Sequence, residues 1–138
     1  MTENKKIINA TPTSVNGIEF KSRMEATVYK YLVDSGYQPQ YEPDTFVIFQ
    51  GFYPSRPYFV DGKAQKRKLL DVTYTPDFKI TLEDGRLVYI EVKGFNNDIY
   101  PYKRKMFLHY LETLQNTYFF EVHSKKGLIS CLEKLKQL

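Results

Sequence analysis

The sequence has no tryptophan, two histidines and a single cysteine in 138 residues. Cys131 has no partner in the chain for a disulfide, which points to a reducing compartment. It sits among apolar residues of a predicted C-terminal helix and reads as a buried structural thiol. His109 and His123 with one cysteine cannot build a zinc site of the usual kind. No apolar run is long enough to span a membrane, and the opening MTENKKIINA lacks the apolar core of a secretory signal. These absences lead to the expectation of a soluble, cytoplasmic protein with no membrane partner.

What is present suits one modest globular core. Hydrophobic residues make up 42% of the chain and aromatics 16%, all of them Tyr or Phe. Tyr buries its ring and keeps its hydroxyl wet, so some rings are candidates for a binding surface. Twenty basic residues stand against 16 acids, a net charge of +4 that permits a polyanionic partner. The positive charge is concentrated in KAQKRK (63–68) and YKRK (102–105). Either run alone reads as a solvated face.

Residues 1–17 are polar and without period, and are expected to form a flexible N-terminal arm, leaving 18–138 as a single domain. Ser22 opens a helix with Met24, Val28, Tyr31 and Leu32 at helical spacing, and Gly36 stops it. Ser22 and Glu25 also fit a capping box. The continuous apolar run Phe46–Phe49 predicts a strand covered on both faces. Residues 53–70, with Asp61-Gly62 and the first basic run, read as a long surface loop or irregular hairpin. Two strands follow within 74–94. A helix then opens near NND with Pro101 in its first turn, and Phe107, Leu108, Leu111 and Leu114 form its apolar stripe. A strand over 117–124 and an amphipathic helix with Leu128, Leu132 and Leu135 on one side close the chain. The order is α-β-β-β-α-β-α.

The stretch YTPDFKITLEDGRLVYIEVKG (74–94) carries the chemistry. A three-residue loop, Glu83-Asp84-Gly85, suits a type I turn with glycine in the left-handed position. Ile80 then pairs with Val88, Phe78 with Ile90 and Asp77 with Glu91. A two-residue loop would set Phe78 against Glu91 and scramble both faces, so the hydrophobic pattern selects the first register. Two carboxylates thus face each other, with side-chain roots roughly 5 Å apart, and Lys93 shares their face. Like charges at such positions are destabilising. A hard divalent cation supplies a reason for them: Mg²⁺ takes one or two carboxylates, keeps waters and binds substrate phosphate. Asp77 and Glu91 are the candidate ligands, with the backbone carbonyl of Val92 as a further one. Lys93 is placed to orient a water or to stabilise charge at phosphorus.

TPDF followed by YIEVKG resembles the signature of the PD-(D/E)xK nucleases. FKSRMEATVYKYL resembles the helix that bears a further acid in these enzymes, and YKRKMF the basic helix start that follows the active-site hairpin in small phage members. The likeness is to T7 endonuclease I-like resolvases and to the nuclease domains of Tn7-type transposases, over roughly residues 20–123. It implies a restriction-endonuclease-like α+β fold with an αβββαβ core, a central mixed sheet flanked by helices. It also implies Mg²⁺-dependent cleavage of DNA, with Mn²⁺ able to substitute. The resemblance assigns the metal to Asp77 and Glu91, a catalytic role to Lys93, and a further acidic role at the metal site to Glu25. For Glu25 the capping box offers a second account: a capping Glu points back at its own helix start, a catalytic one at the sheet. Lys103 and Lys105 are candidate phosphate contacts, as are Lys66, Arg67 and Lys68.

The expected function is a DNA endonuclease, structure-specific in the manner of a Holliday-junction resolvase, with a homodimer suiting paired cuts. A restriction-like or transposon-end nuclease is the close rival. A non-catalytic nucleic-acid-binding module, or an interaction domain that keeps the nuclease fold, is the alternative from another class.

Overall fold

A computed structural model describes residues 11–94 and 97–138. In chain order, β1 (Thr13–Val15) and β2 (Ile18–Phe20) precede α1 (Arg23–Asp34), followed by β3 (Gln40–Tyr41) and β4 (Phe46–Phe49). Then come β5 (Phe59–Val60), β6 (Lys63–Ala64), β7 (Val72–Tyr74), β8 (Phe78–Thr81) and β9 (Leu87–Val92). Helix α2 (Tyr100–Leu111), β10 (Thr117–Val122) and α3 (Lys125–Gln137) complete the α+β fold.

The central mixed sheet has four strands in the order β10-β9-β8-β3. β8 and β9 are antiparallel, with Phe78 opposite Ile90 and Ile80 opposite Val88, the register expected from the sequence. The loop is the three-residue one: the Leu82 N–H donates to the Arg86 carbonyl at 2.8 Å, and Gly85 sits at φ 89°. β10 joins β9 in parallel, so a crossover must return the chain across the sheet, and α2 supplies it.

β9 is the centre of the molecule, covered on both faces. One face of the β8–β9 pair sends Phe78, Ile80, Val88 and Ile90 into a core with Val28 and Leu32 of α1 and with Leu128, Cys131 and Leu135 of α3. Burial pushes the Cys131 thiol up to about 11, as suits a structural cysteine. The other face sends Tyr89 into a cluster with Tyr74, Tyr100 and Phe107. Helix caps follow the local signals. The Ser22 Oγ accepts the Glu25 N–H at 3.1 Å. At the other end of α1, Gly36 at φ 90° lets its own N–H reach the Val33 carbonyl and the Tyr37 N–H reach that of Leu32, the paired bonds of a Schellman stop.

Three expectations need correction. First, the arm does not extend to residue 17, because Thr13–Val15 pairs with Ile18–Phe20 across Asn16-Gly17, both residues at positive φ. Asn-Gly favours this primed hairpin turn, and Phe20 is fully buried, which ties the hairpin to the core. Residues 1–10 of the expected arm lie outside the described residues. Second, the run 46–49 is not covered on both faces. Phe46 and Ile48 pack on the α2 side, whereas Val47 and Phe49 are exposed. β4 pairs only with β7, in a separate two-stranded ladder, so nothing covers its outer face. The short β3 takes the edge position beside β8. Third, Leu108 and Leu114 do not belong to a buried stripe. Both are exposed, because α2 turns only Tyr100 and Phe107 fully inward and ends before Leu114. Of the two readings for residues 53–70, the irregular hairpin is the one formed: β5 and β6 pair and turn at Asp61-Gly62.

That hairpin continues the β4–β7 ladder as a ribbon. Phe52 and Leu69 exchange both backbone hydrogen bonds, at 2.9 and 2.8 Å. Just below them a Cβ on Gly51 would lie 2.4 Å from the Leu69 carbonyl oxygen, a backbone atom that cannot swing aside. Gly51→Ala is therefore expected to pry the ribbon open and destabilise the protein by about 1–3 kcal/mol. A thermal melt unchanged from wild type would contradict this.

Candidate active site

The site forms where β8 begins and β9 ends. Asp77 directly precedes Phe78, so it continues the register and stands opposite Glu91. Here the ladder passes from backbone to side chain: the Val92 N–H donates to the Asp77 Oδ2 at 2.7 Å. On the other side, the Asp77 carbonyl accepts the Glu42 N–H at 2.8 Å. Asp77 is thus held by the strands on both flanks.

Glu91 and Lys93 project from β9 toward the α2 side. The Glu91 Oε1 accepts the Tyr74 hydroxyl at 2.6 Å, and its Oε2 lies 3.3 Å from the Lys93 Nζ. The same ammonium sits 3.9 Å from the centroid of the Tyr100 ring, a cation–π contact in a desolvated setting. Behind the ring, the Tyr100 hydroxyl donates to Glu121 at 2.5 Å, and Arg104 meets both Glu121 oxygens at 3.1 Å. His123 contacts the same carboxylate. Lys93 is therefore braced from β9, from α2 and, through Tyr100, from β10.

Glu25 enters from the first turn of α1. The Ser22 hydroxyl supplies the side-chain half of the cap, while the Glu25 Oε1 accepts the Tyr41 hydroxyl at 3.2 Å, over the sheet. The carboxylate also lines the same cavity as Asp77, Glu91 and Lys93. The helix start is thus capped by Ser22, and the acid points at the sheet.

The cavity measures about 540 Å³, and its charged lining includes Lys21, Glu25, Asp77, Glu91, Lys93 and Lys103. Among the described residues, the buried charged side chains are Glu25, Asp77, Glu91 and Lys93, each no more than 5% exposed. All four belong to this one place. Lys103 lines the cavity from α2, but Lys105 does not; it is exposed, and two residues along a helix turn it to the opposite side. Lys66, Arg67 and Lys68 are exposed on the ribbon after β6, away from the cavity wall.

Three site residues were missed from sequence: Tyr74, Tyr100 and Lys21. Tyr74 lies three residues before Asp77, with no pattern to mark it as the donor to Glu91. Burial, and then the Glu91 charge, hold its hydroxyl well above the ordinary phenol range. Tyr100 is shifted the same way by burial and by its bond to Glu121, and Tyr41 by burial and the charge of Glu25. All three phenols are therefore fixed as hydrogen-bond donors, not bases. The Lys21 ammonium pairs with Glu42 at 2.8 Å, and that bond raises its pKa, with the charges of Glu25 and Asp77 adding to the effect. For Glu121, burial works upward, but the hydrogen bonds from Tyr100, His123 and Arg104 outweigh it, and the net shift is downward.

Among the described residues, no three His, Cys, Asp or Glu side chains gather around one cation position. A Mg²⁺ site does not require such a cage, because this ion takes one or two carboxylates and keeps several waters. Asp77 and Glu91 are hard oxygen donors of the kind this ion takes, on facing strands beside one cavity. The donor set fits a small divalent cation.

The molecule is thus an α+β protein with a buried acid–acid–lysine site at one end of a mixed sheet. The family model described as protein of unknown function (DUF1064) matches residues 5–127, and the chain belongs to that family. No curated protein and no solved structure matches it. Among the described residues, no helix is long and apolar enough to cross a membrane.

Proposed function

We propose that the protein is a metal-dependent DNA endonuclease of the PD-(D/E)xK type. The observation that carries this reading is the convergence of the four buried charged side chains on one cavity. Buried charges are costly, and clusters of them concentrate at functional sites. Asp77, Glu91 and the Val92 carbonyl would hold Mg²⁺ or Mn²⁺, with Glu25 as the further acid. When bound, the ion supplies Lewis acidity and a water of lowered pKa.

The protein's own groups have separable tasks. Tyr74 and Lys93 orient the Glu91 carboxylate from its two oxygens. Lys93, held in place by the Tyr100 ring, presents a fixed positive charge for the negative charge that grows on the scissile phosphate. Lys103 and Lys21 line the mouth and suit the flanking phosphates. Lys66, Arg67 and Lys68 extend the basic surface along the ribbon. Branched DNA is the expected substrate class, and a homodimer would suit paired cuts.

Branched, linear duplex and single-stranded DNA are incubated with the protein in EDTA, Mg²⁺ or Mn²⁺. Cleavage is expected with either metal and not in EDTA. If every DNA remains intact in both metals, the reading fails.

A further inference from the structure

The ribbon from β4 to β7 has an unusual surface. Phe49, Phe52, Tyr53 and Phe59 are between 47% and 70% exposed, and Tyr58 is exposed as well. Leu70 on the returning side of the ribbon is 80% exposed. Soluble proteins rarely leave so many large apolar side chains in water along one short ribbon unless a partner covers them. The net charge of the molecule lies within the same ribbon. Residues 52–70 hold five basic residues (Arg56, Lys63, Lys66, Arg67 and Lys68) against Asp61 alone, a net +4. The whole chain is also +4, so the remainder balances at 15 basic and 15 acidic residues.

Rings interleaved with cations match one kind of ligand. Single-stranded nucleic acid offers bases that stack on aromatic faces and phosphates that pair with Lys and Arg. Paired bases in a duplex keep their faces hidden, so rings gain little from it. A second copy of the chain fits poorly, because a two-fold contact through this ribbon would set +4 against +4. The position is also apt. β7 runs from the ribbon directly to Tyr74, the donor to Glu91. Leu69 is five residues from Tyr74, a reach of at most about 18 Å.

We infer that this ribbon is a stacking platform for unpaired bases, and that the neighbouring site acts on DNA carrying a single-stranded segment. This rests on reading the site as a DNA nuclease.

The test is fluorescence anisotropy in EDTA with two labelled DNAs: a blunt duplex, and the same duplex with a single-stranded tail. Removing exposed rings as Tyr53→Ser and Phe59→Ser is expected to weaken binding of the tailed DNA by about ten-fold per ring. Blunt-duplex affinity and the salt dependence should stay as in wild type. Changing Lys66, Arg67 and Lys68 to Gln should instead weaken both DNAs and flatten the salt dependence. Unchanged melting curves show that the ring variants are folded. The inference is overturned if ring removal leaves tailed-DNA affinity intact or weakens both DNAs equally. It is also overturned if ring removal turns a dimer into a monomer in sedimentation, or if anionic phospholipid vesicles are bound in place of DNA. Ring-dependent tail binding without cleavage in Mg²⁺ would remove the nuclease reading and keep the platform; cleavage with ring-independent binding would do the reverse.

Discussion

Asp77→Asn is expected to abolish metal-dependent cleavage while leaving the fold at least as stable as wild type. The two effects separate because the side chain has two jobs. As an acceptor for the Val92 N–H, the Asn carbonyl oxygen replaces the Asp77 Oδ2. As a metal ligand, a neutral amide is a weak substitute for a carboxylate. Several kcal/mol of transition-state stabilisation depend on the ion, so the loss should be on the order of 10³-fold or more. Removing one of two like charges across a strand pair should add about 0.2–1 kcal/mol of stability. Melting curves with and without Mg²⁺ give an independent readout: the ion should raise the melting temperature of wild type, by linkage, and not that of Asp77→Asn. A variant that cuts DNA at the wild-type rate would remove Asp77 from the chemistry.

Lys93→Met should cost both activity and stability. The Lys93–Glu91 pair is buried, with side-chain exposures of 7% and 5%. Removing one partner leaves Glu91 charged and desolvated with only part of its former company, at a cost of about 3–5 kcal/mol. The loss of a fixed positive charge at the reaction centre should lower turnover by roughly 10²–10³-fold. Glu91→Gln combined with Lys93→Met deletes both charges. It should recover much of the stability, since an uncharged pair of similar volume needs no compensation, and recover none of the activity. Chemical denaturation of the four members of this cycle checks the coupling. Additive stabilities would mean the pair is not energetically linked.

The hairpin at 78–92 was legible from the chain because its rules are local. Asp84-Gly85 selects the loop, the alternation of Phe78 and Ile80 against Val88 and Ile90 selects the face, and together they set Asp77 opposite Glu91. The Ser22 cap and the Gly36 stop were readable for the same reason: each is a bond within a few residues. The buried Cys131 followed from its apolar neighbours in the last helix. Reading failed where burial depends on a distant neighbour. Phe46–Phe49 has the composition of a doubly covered strand, yet its outer face is bare because no element of the described chain reaches it. Leu108 and Lys105 were misplaced because spacing gives a helix its faces but not the one that packs.

The sequence alone therefore determined the acid–acid–lysine constellation, since strand register is set by a turn and a period of two. Tertiary structure alone decided which groups surround it. Tyr74, Tyr100 and Glu25 come from a separate ladder and from two helices, and no short-range rule relates them to Glu91 and Lys93. Only when both faces of β9 are covered do these charges lose water, and desolvation is what makes their mutual placement strong enough to matter.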